Sequence, residues 1–116
     1  SINEVPLVKP GDSLKQTIKL ISEKKVGYAV VADKLKYLGI FTDGDLRRSI
    51  LKEASISDEI SKWMSTNPFF INEDNLATSA AELMEKNKIS SLVVVDNSDE
   101  LVGVINFQDL LINKVI

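Results

Sequence analysis

The sequence predicts a mixed α+β (α/β) fold made of two copies of one motif, each β-α-β-β-α, packed as a pseudo-twofold pair. Three observations lead there. The chain repeats itself. Each repeat alternates helical spacing with short β-branched runs. The 116 residues, 44% hydrophobic and 27% charged, suit a compact globular chain and not a disordered one.

The repeat runs almost end to end. Asp12-Ser13-Leu14-Lys15-Gln16-Thr17-Ile18-Lys19-Leu20-Ile21 aligns with Asp74-Asn75-Leu76-Ala77-Thr78-Ser79-Ala80-Ala81-Glu82-Leu83 at an offset of 62. Val26-Gly27-Tyr28-Ala29-Val30-Val31-Ala32-Asp33 aligns with Ile89-Ser90-Ser91-Leu92-Val93-Val94-Val95-Asp96 at an offset of 63. Leu38-Gly39-Ile40-Phe41-Thr42 and Asp45-Leu46 align with Val102-Gly103-Val104-Ile105-Asn106 and Asp109-Leu110 at an offset of 64. The offset grows at a helix end and in a turn, where insertions cost little.

Each element follows from local pattern. Stub strands open the copies at Pro6–Val8 and Phe69–Ile71. Leu14, Ile18 and Ile21 recur at helical spacing behind Asp12 or Ser13 as a cap; Leu76, Ala80, Leu83 and Met84 do so behind Asp74 or Asn75. Tyr28–Ala32 and Leu92–Val95 are too short for helices and read as buried strands. Polar turns at Asp33–Lys36 and Asp96–Glu100 lead into second strands, Leu38–Phe41 and Leu101–Ile105. Final helices are expected from Asp43 and from Phe107. The domain reading is residues 1–53, a linker helix over 54–68 begun by Ser57-Asp58-Glu59 and ended by Pro68, and residues 69–116. A half of roughly 55 residues buries too little to stand alone, so the two are expected to face each other across two related clefts.

Composition removes several classes of function. There is no cysteine, hence no disulfide framework or thiolate chemistry, which fits a reducing compartment. There is no histidine, which excludes the common zinc sites, the Ser-His-Asp triad and an imidazole base. No apolar run reaches the roughly 20 residues that span a bilayer, and no signal peptide is visible, so the reading is no membrane and a cytoplasmic location. Residues 1–53 carry 10 basic and 7 acidic side chains, residues 54–116 carry 4 and 10, and the net charge is −3. Such a chain is not expected to bind nucleic acid nonspecifically, although a small anion finds positive charge in the first half. The first residue is not methionine, as expected of a fragment or a processed product.

Gly39-Ile40-Phe41-Thr42-Asp43-Gly44-Asp45 resembles the Gly-apolar-x-Thr-x-x-Asp signature of CBS domains, and with the repeat it identifies the chain as similar to a tandem CBS pair (a Bateman module). The longer run through Leu46-Arg47-Arg48 looks like the CBS segment of bacterial arabinose-5-phosphate isomerases of the capsule and lipopolysaccharide (Kdo) type. Leu76-Ala77 through Ala81-Glu82-Leu83-Met84, Val102-Gly103-Val104-Ile105 and Asp109-Leu110-Leu111 agree with it. A similar Thr-Asp-Gly-Asp-Leu-Arg-Arg run occurs in some sugar nucleotidyltransferases. The resemblance implies a bacterial parent chain with a sugar isomerase (SIS) catalytic domain ahead of the pair. It also implies a first copy that lacks the short helix before Pro6, and a homodimer of CBS pairs. The fragment itself is expected to be non-catalytic: proton transfer between carbonyl and alcohol needs a placed base, and no carboxylate cluster beyond Asp43 and Asp45 suggests one.

The residue types suit a nucleotide. A helix start offers unpaired N–H groups and partial positive charge to a phosphate, to which the Thr42 hydroxyl can also donate. A carboxylate accepts from two neighbouring hydroxyls, so Asp45 suits a ribose diol, and the resemblance implies these same roles. Gly44 is read as a close turn between them, and Arg47 or Arg48 as a partner for phosphate or a sugar-acid carboxylate. The base is placed near Pro6–Val8 and along Val26, Gly27 and Tyr28. Candidate ligands are CMP-Kdo, from the position of the isomerase in its pathway, CMP, AMP or ATP; no obligatory cofactor and no metal are expected. Plainer alternatives stay open. Thr42 or Asp43 can be simply a helix cap, Asp43 and Asp45 a magnesium pair, one of the arginines a solvated face, and Tyr28 core packing. Trp63 and Met64 are expected to pack or to form a dimer surface. In the second copy Asn106 replaces the threonine, Gln108 stands where the isomerases usually have histidine, and Asp109 keeps the carboxylate, so a weaker or empty second site is expected.

Overall fold

The computed structural model describes residues 5–66, 70–72, 78–89, 91–98 and 100–106. Two compact units divide the chain, one spanning Asn3–Pro68 and the other continuing from Phe69.

In the first unit the strand β1 (Leu7–Val8) is followed by α1 (Leu14–Lys24), β2 (Tyr28–Asp33), β3 (Lys36–Thr42) and α2 (Asp43–Leu51). The sheet order is β1-β2-β3, with β1 parallel to β2 across the α1 crossover and β2 antiparallel to β3. Of the two candidate caps for α1, Ser13 is the one used. Its hydroxyl accepts from the Gln16 amide at 3.0 Å, and the Gln16 side chain accepts from the Ser13 amide at 2.7 Å, a reciprocal capping box. Asp12 instead accepts from the Lys9 amide. The helix lays Leu14, Ile18 and Ile21 onto Val8, Ala29, Val31 and Phe41, the core of the unit. Val30 and Ala32, pointing to the other face of β2, are also buried, which is why this strand reads as one continuous apolar run.

The second unit repeats the plan through β4 (Phe70–Asn72), α3 (Thr78–Asn87), β5 (Ser91–Val95) and β6 (Leu101–Asn106), in the sheet order β4-β5-β6. Its core is Ile71, Ala80, Ala81, Met84, Leu92 and Val94. Both hairpins carry the same irregularity. The β2–β3 register shifts between Val31 and Ala32, and the β5–β6 register shifts between Val94 and Val95. Leu38 and Val102 are the extra residues in each, 64 positions apart and both exposed. The helix expected from Phe107 lies outside the described residues.

Where a linker helix is expected, the structure has a belt with one 3-10 turn, Ile60–Lys62. The segment's carbonyls are used elsewhere. The amides of Leu14 and Lys15, left over at the start of α1, donate to the carbonyls of Asp58 (2.9 Å) and Ile56 (3.0 Å). Ser65 then forms an antiparallel bridge with Ile40, Ile40 N donating to Ser65 O at 3.0 Å and Ser65 N to Ile40 O at 2.8 Å. Ile60 and Trp63 enter the first core, so the belt belongs to the first unit. Among the described residues no helix is long and apolar enough to cross a membrane.

Candidate functional site

The β3–α2 junction gathers the signature residues. Thr42 ends β3 and caps α2: its hydroxyl accepts from the Asp45 amide at 3.4 Å, and Asp45 Oδ2 accepts from the Thr42 amide at 3.0 Å and from its hydroxyl at 3.2 Å. The capping alternative for Thr42 is therefore realised, with Asp45 as the reciprocal member. The box uses the amides of Thr42 and Asp45 and leaves those of Asp43 and Gly44 at the positive end of the helix.

Asp45 is buried, at 7% exposure, and its other oxygen is held from a distance. Oδ1 accepts from the Ser65 hydroxyl at 2.9 Å and lies 3.5 Å from Arg48 Nη2. Arg48 also donates to the Trp63 carbonyl at 2.6 Å, and its guanidinium carbon stands 5.5 Å from the centroid of the Trp63 ring. The indole N–H donates to Asp58 at 3.0 Å. Two belt residues thus complete the site: Ser65 directly and Trp63 through Arg48. Sequence reasoning missed Ser65, and the only local signal for it is the bridge that Gly39 permits. A Cβ on Gly39 would lie 2.7 Å from Ser65 O and 2.8 Å from Met64 Sδ, so only glycine admits the belt this close.

Of the remaining candidates, Pro6 precedes β1, Val26 and Gly27 lie between α1 and β2, Tyr28 opens β2, and Asp43, Gly44 and Arg47 lie in α2. Tyr28 pairs with Thr42 across the hairpin, and the exposed Asp43 carboxylate lies beside Gly27, 3.1 Å from where a Cβ would stand. Pro6 is buried one strand further away, its carbonyl accepting from Val30 N at 2.8 Å, and Val26 lies at the end of α1, its amide pointing to Ile21 O. Gly44 differs from expectation. It sits inside the first turn of α2 without a positive φ, and an added Cβ would meet Thr42 Oγ1 at 3.6 Å and Arg47 Nη2 at 3.9 Å, both ordinary contacts. The two arginines separate in role: Arg48 is committed to Trp63 and Asp45, while Arg47 is exposed and makes no ion pair among the described residues. Among the described residues no group of three His, Cys, Asp or Glu side chains is placed to hold a metal ion. In the second unit Ser91 pairs with Asn106 as Tyr28 pairs with Thr42. The Asn106 side chain, Gln108 and Asp109 lie outside the described residues.

A β-α-β-β-α unit whose last turn places a threonine and an acid in one cap, followed by a second β-α-β-β run, defines a tandem α/β repeat. The chain belongs to the CBS domain family, which matches residues 2–52 and 56–114. It is 46% identical over 110 residues to the arabinose 5-phosphate isomerase KdsD of Francisella tularensis, covering 94% of this chain and 34% of that protein. The chain thus spans about a third of the length of such curated relatives. A CBS-domain protein from Burkholderia ambifaria has the same fold, with a TM-score of 0.85 and 26% identity over 95% of this chain and 82% of that one. The CBS domain protein of Pyrobaculum aerophilum complexed with AMP, at 19% identity, covers 94% of this chain and 89% of its own with a TM-score of 0.85, a likeness of fold.

Proposed function

We propose that this chain is the regulatory nucleotide-binding CBS pair of a D-arabinose-5-phosphate isomerase, and that the β3–α2 junction is its principal ligand site. One observation carries the reading. A hydroxyl (Thr42), a buried carboxylate (Asp45) and, without partners among the described residues, two helix-start amides and a cation (Arg47) meet at one cap. That set matches a sugar bearing a phosphate: amides, Thr42 and Arg47 for the anion, Asp45 for sugar hydroxyls. The isomerase assignment draws on the likeness to KdsD. CMP-Kdo as end product is the specific ligand this favours, with CMP, AMP and ATP as the comparison set. Binding regulates an attached SIS domain by favouring one of two arrangements of the module. Calorimetric titration of the chain with each of the four nucleotides tests the proposal. Saturable heat from at least one supports it, and no heat from any contradicts it.

A second reading, a structural module that joins subunits, draws on Ile50, Leu51 and Ile56, which are exposed at 66%, 83% and 57%. Asp45→Asn separates the two: loss of ligand with an unchanged oligomer favours the first, a changed oligomer alone the second.

A further inference from the structure

An ionised carboxylate offers about four acceptor directions. Asp45 has four donors around it. Oδ2 faces the Thr42 amide and hydroxyl, and Oδ1 faces Ser65 Oγ at 2.9 Å and Arg48 Nη2 at 3.5 Å. Three of these are hydrogen bonds and the fourth an ion-pair contact, so a ligand diol that takes both oxygens displaces donors already in place. The Thr42 amide belongs to the capping box and leaves only if the start of α2 frays. The Thr42 hydroxyl hydrogen can turn to a phosphate without breaking the box, but that frees a place on Oδ2 alone. A diol that takes both oxygens still meets Ser65 at Oδ1. Arg48 is anchored independently by the Trp63 carbonyl and ring. Ser65 has no second side-chain bond among the described residues, and replacing its hydroxyl by a ligand hydroxyl keeps the hydrogen-bond count of Asp45 unchanged.

From this we infer that the Ser65 hydroxyl is an internal stand-in for the ligand: it occupies Asp45 Oδ1 in the empty site and is displaced on binding. The inference rests on the proposed role of Asp45 as the acceptor of ligand hydroxyls. Its consequence is a coupling. Ser65 ties the end of the belt to α2 through its side chain and to β3 through its bridge with Ile40, and it lies just before the second unit begins. Losing the side-chain tie loosens residues 63–65 while the ligand is bound, so occupancy of the cap is felt in the connection between the units. The contact is autoinhibitory, because the ligand binds only as strongly as it outcompetes Ser65.

Trp63 reports the event, being the chain's single tryptophan, two residues from Ser65 and buried between Asp58, Arg48 and Lys62. AMP, and CMP in parallel, are titrated into wild type and Ser65→Ala, with binding read by calorimetry and release by Trp63 emission. Removing the competitor is expected to tighten nucleotide binding about threefold to tenfold, the range left when one charge-assisted bond is exchanged for another. Wild type is expected to change its Trp63 emission in proportion to occupancy, a measurement that stands even where Ser65→Ala folds poorly. Binding by wild type without an emission change, or binding by Ser65→Ala that is equal or weaker, overturns this inference and leaves the ligand site standing. Wild type that binds neither of these, nor CMP-Kdo or ATP in the same assay, overturns both.

Discussion

Arg48 donates to the backbone carbonyl of Trp63 at 2.6 Å and sets its guanidinium carbon 5.5 Å from the centroid of the same residue's ring. This one side chain pins the belt to α2 at two points while its neighbour Arg47 stays exposed. The two adjacent arginines should therefore fail differently. Arg48→Ala is expected to lower stability by about 1–2 kcal/mol, from a lost hydrogen bond and a cation–π contact. Arg47→Ala should stay within about 0.5 kcal/mol of wild type yet weaken phosphate-bearing ligands severalfold. Urea unfolding and nucleotide titration of the two variants check both halves.

Glycines at the same place in the two repeats make a second contrast. A Cβ on Gly39 runs into Ser65 O and Met64 Sδ, whereas one on Gly103 meets nothing within 4 Å among the described residues. Gly39→Ala is expected to cost about 1–3 kcal/mol by overpacking the belt against β3. Gly103→Ala should range from neutral to about 1 kcal/mol more stable, as for glycine in a strand. Thermal unfolding of the pair measures the difference.

Gly44 weakens the first turn of α2, and nothing in the fold demands it there. Gly44→Ala should gain about 0.5–1 kcal/mol of stability by helix propensity. Its methyl would also stand 3.6 Å from Thr42 Oγ1, in the space assigned to phosphate. The expected outcome is a more stable protein with weaker nucleotide affinity, measured by unfolding and calorimetry. Unchanged affinity would mean that the ligand does not approach Gly44.

Much of this was legible in the sequence, and the limits are physical. Local spacing located every described strand and helix. The matching offsets foretold even the common hairpin plan, because side-chain alternation and turn length set register locally. Thr42 and Asp45 were read together because one helical turn puts them in contact. Ser65 was not, since it lies 20 residues from Asp45 and arrives through a backbone bridge that leaves no periodic trace. The expected linker helix failed for a related reason: Ser57-Asp58-Glu59 carries helix-start residues, but the carbonyls of Ile56 and Asp58 serve the orphan amides of α1 instead. Gly44 was read as a turn because the sequence does not show whether a glycine before a helix is conformationally required or merely leaves space.

Tyr37 supplies a pH prediction. Burial pushes its hydroxyl up to about 12, against an ordinary value near 10.0. The unfolded chain then ionises first, so this contribution to stability is complete below pH 10 and is lost as pH rises toward 12. Tyr37→Phe should flatten that decline. A spectrophotometric titration should show one of the two tyrosines ionising near pH 12, in a step that the substitution removes.

The central claim is that a sugar-phosphate ligand docks on the Thr42–Asp45 cap. Its most direct test is an amide chemical-shift map of the chain during AMP titration, with Asp45→Asn as the paired variant. Shifts should concentrate at Thr42 through Arg47 and at Ser65, and Asp45→Asn should need at least about tenfold more AMP to produce them, the effect of about 1.4 kcal/mol. Shifts that leave this cap untouched, or that are identical in Asp45→Asn, would contradict it.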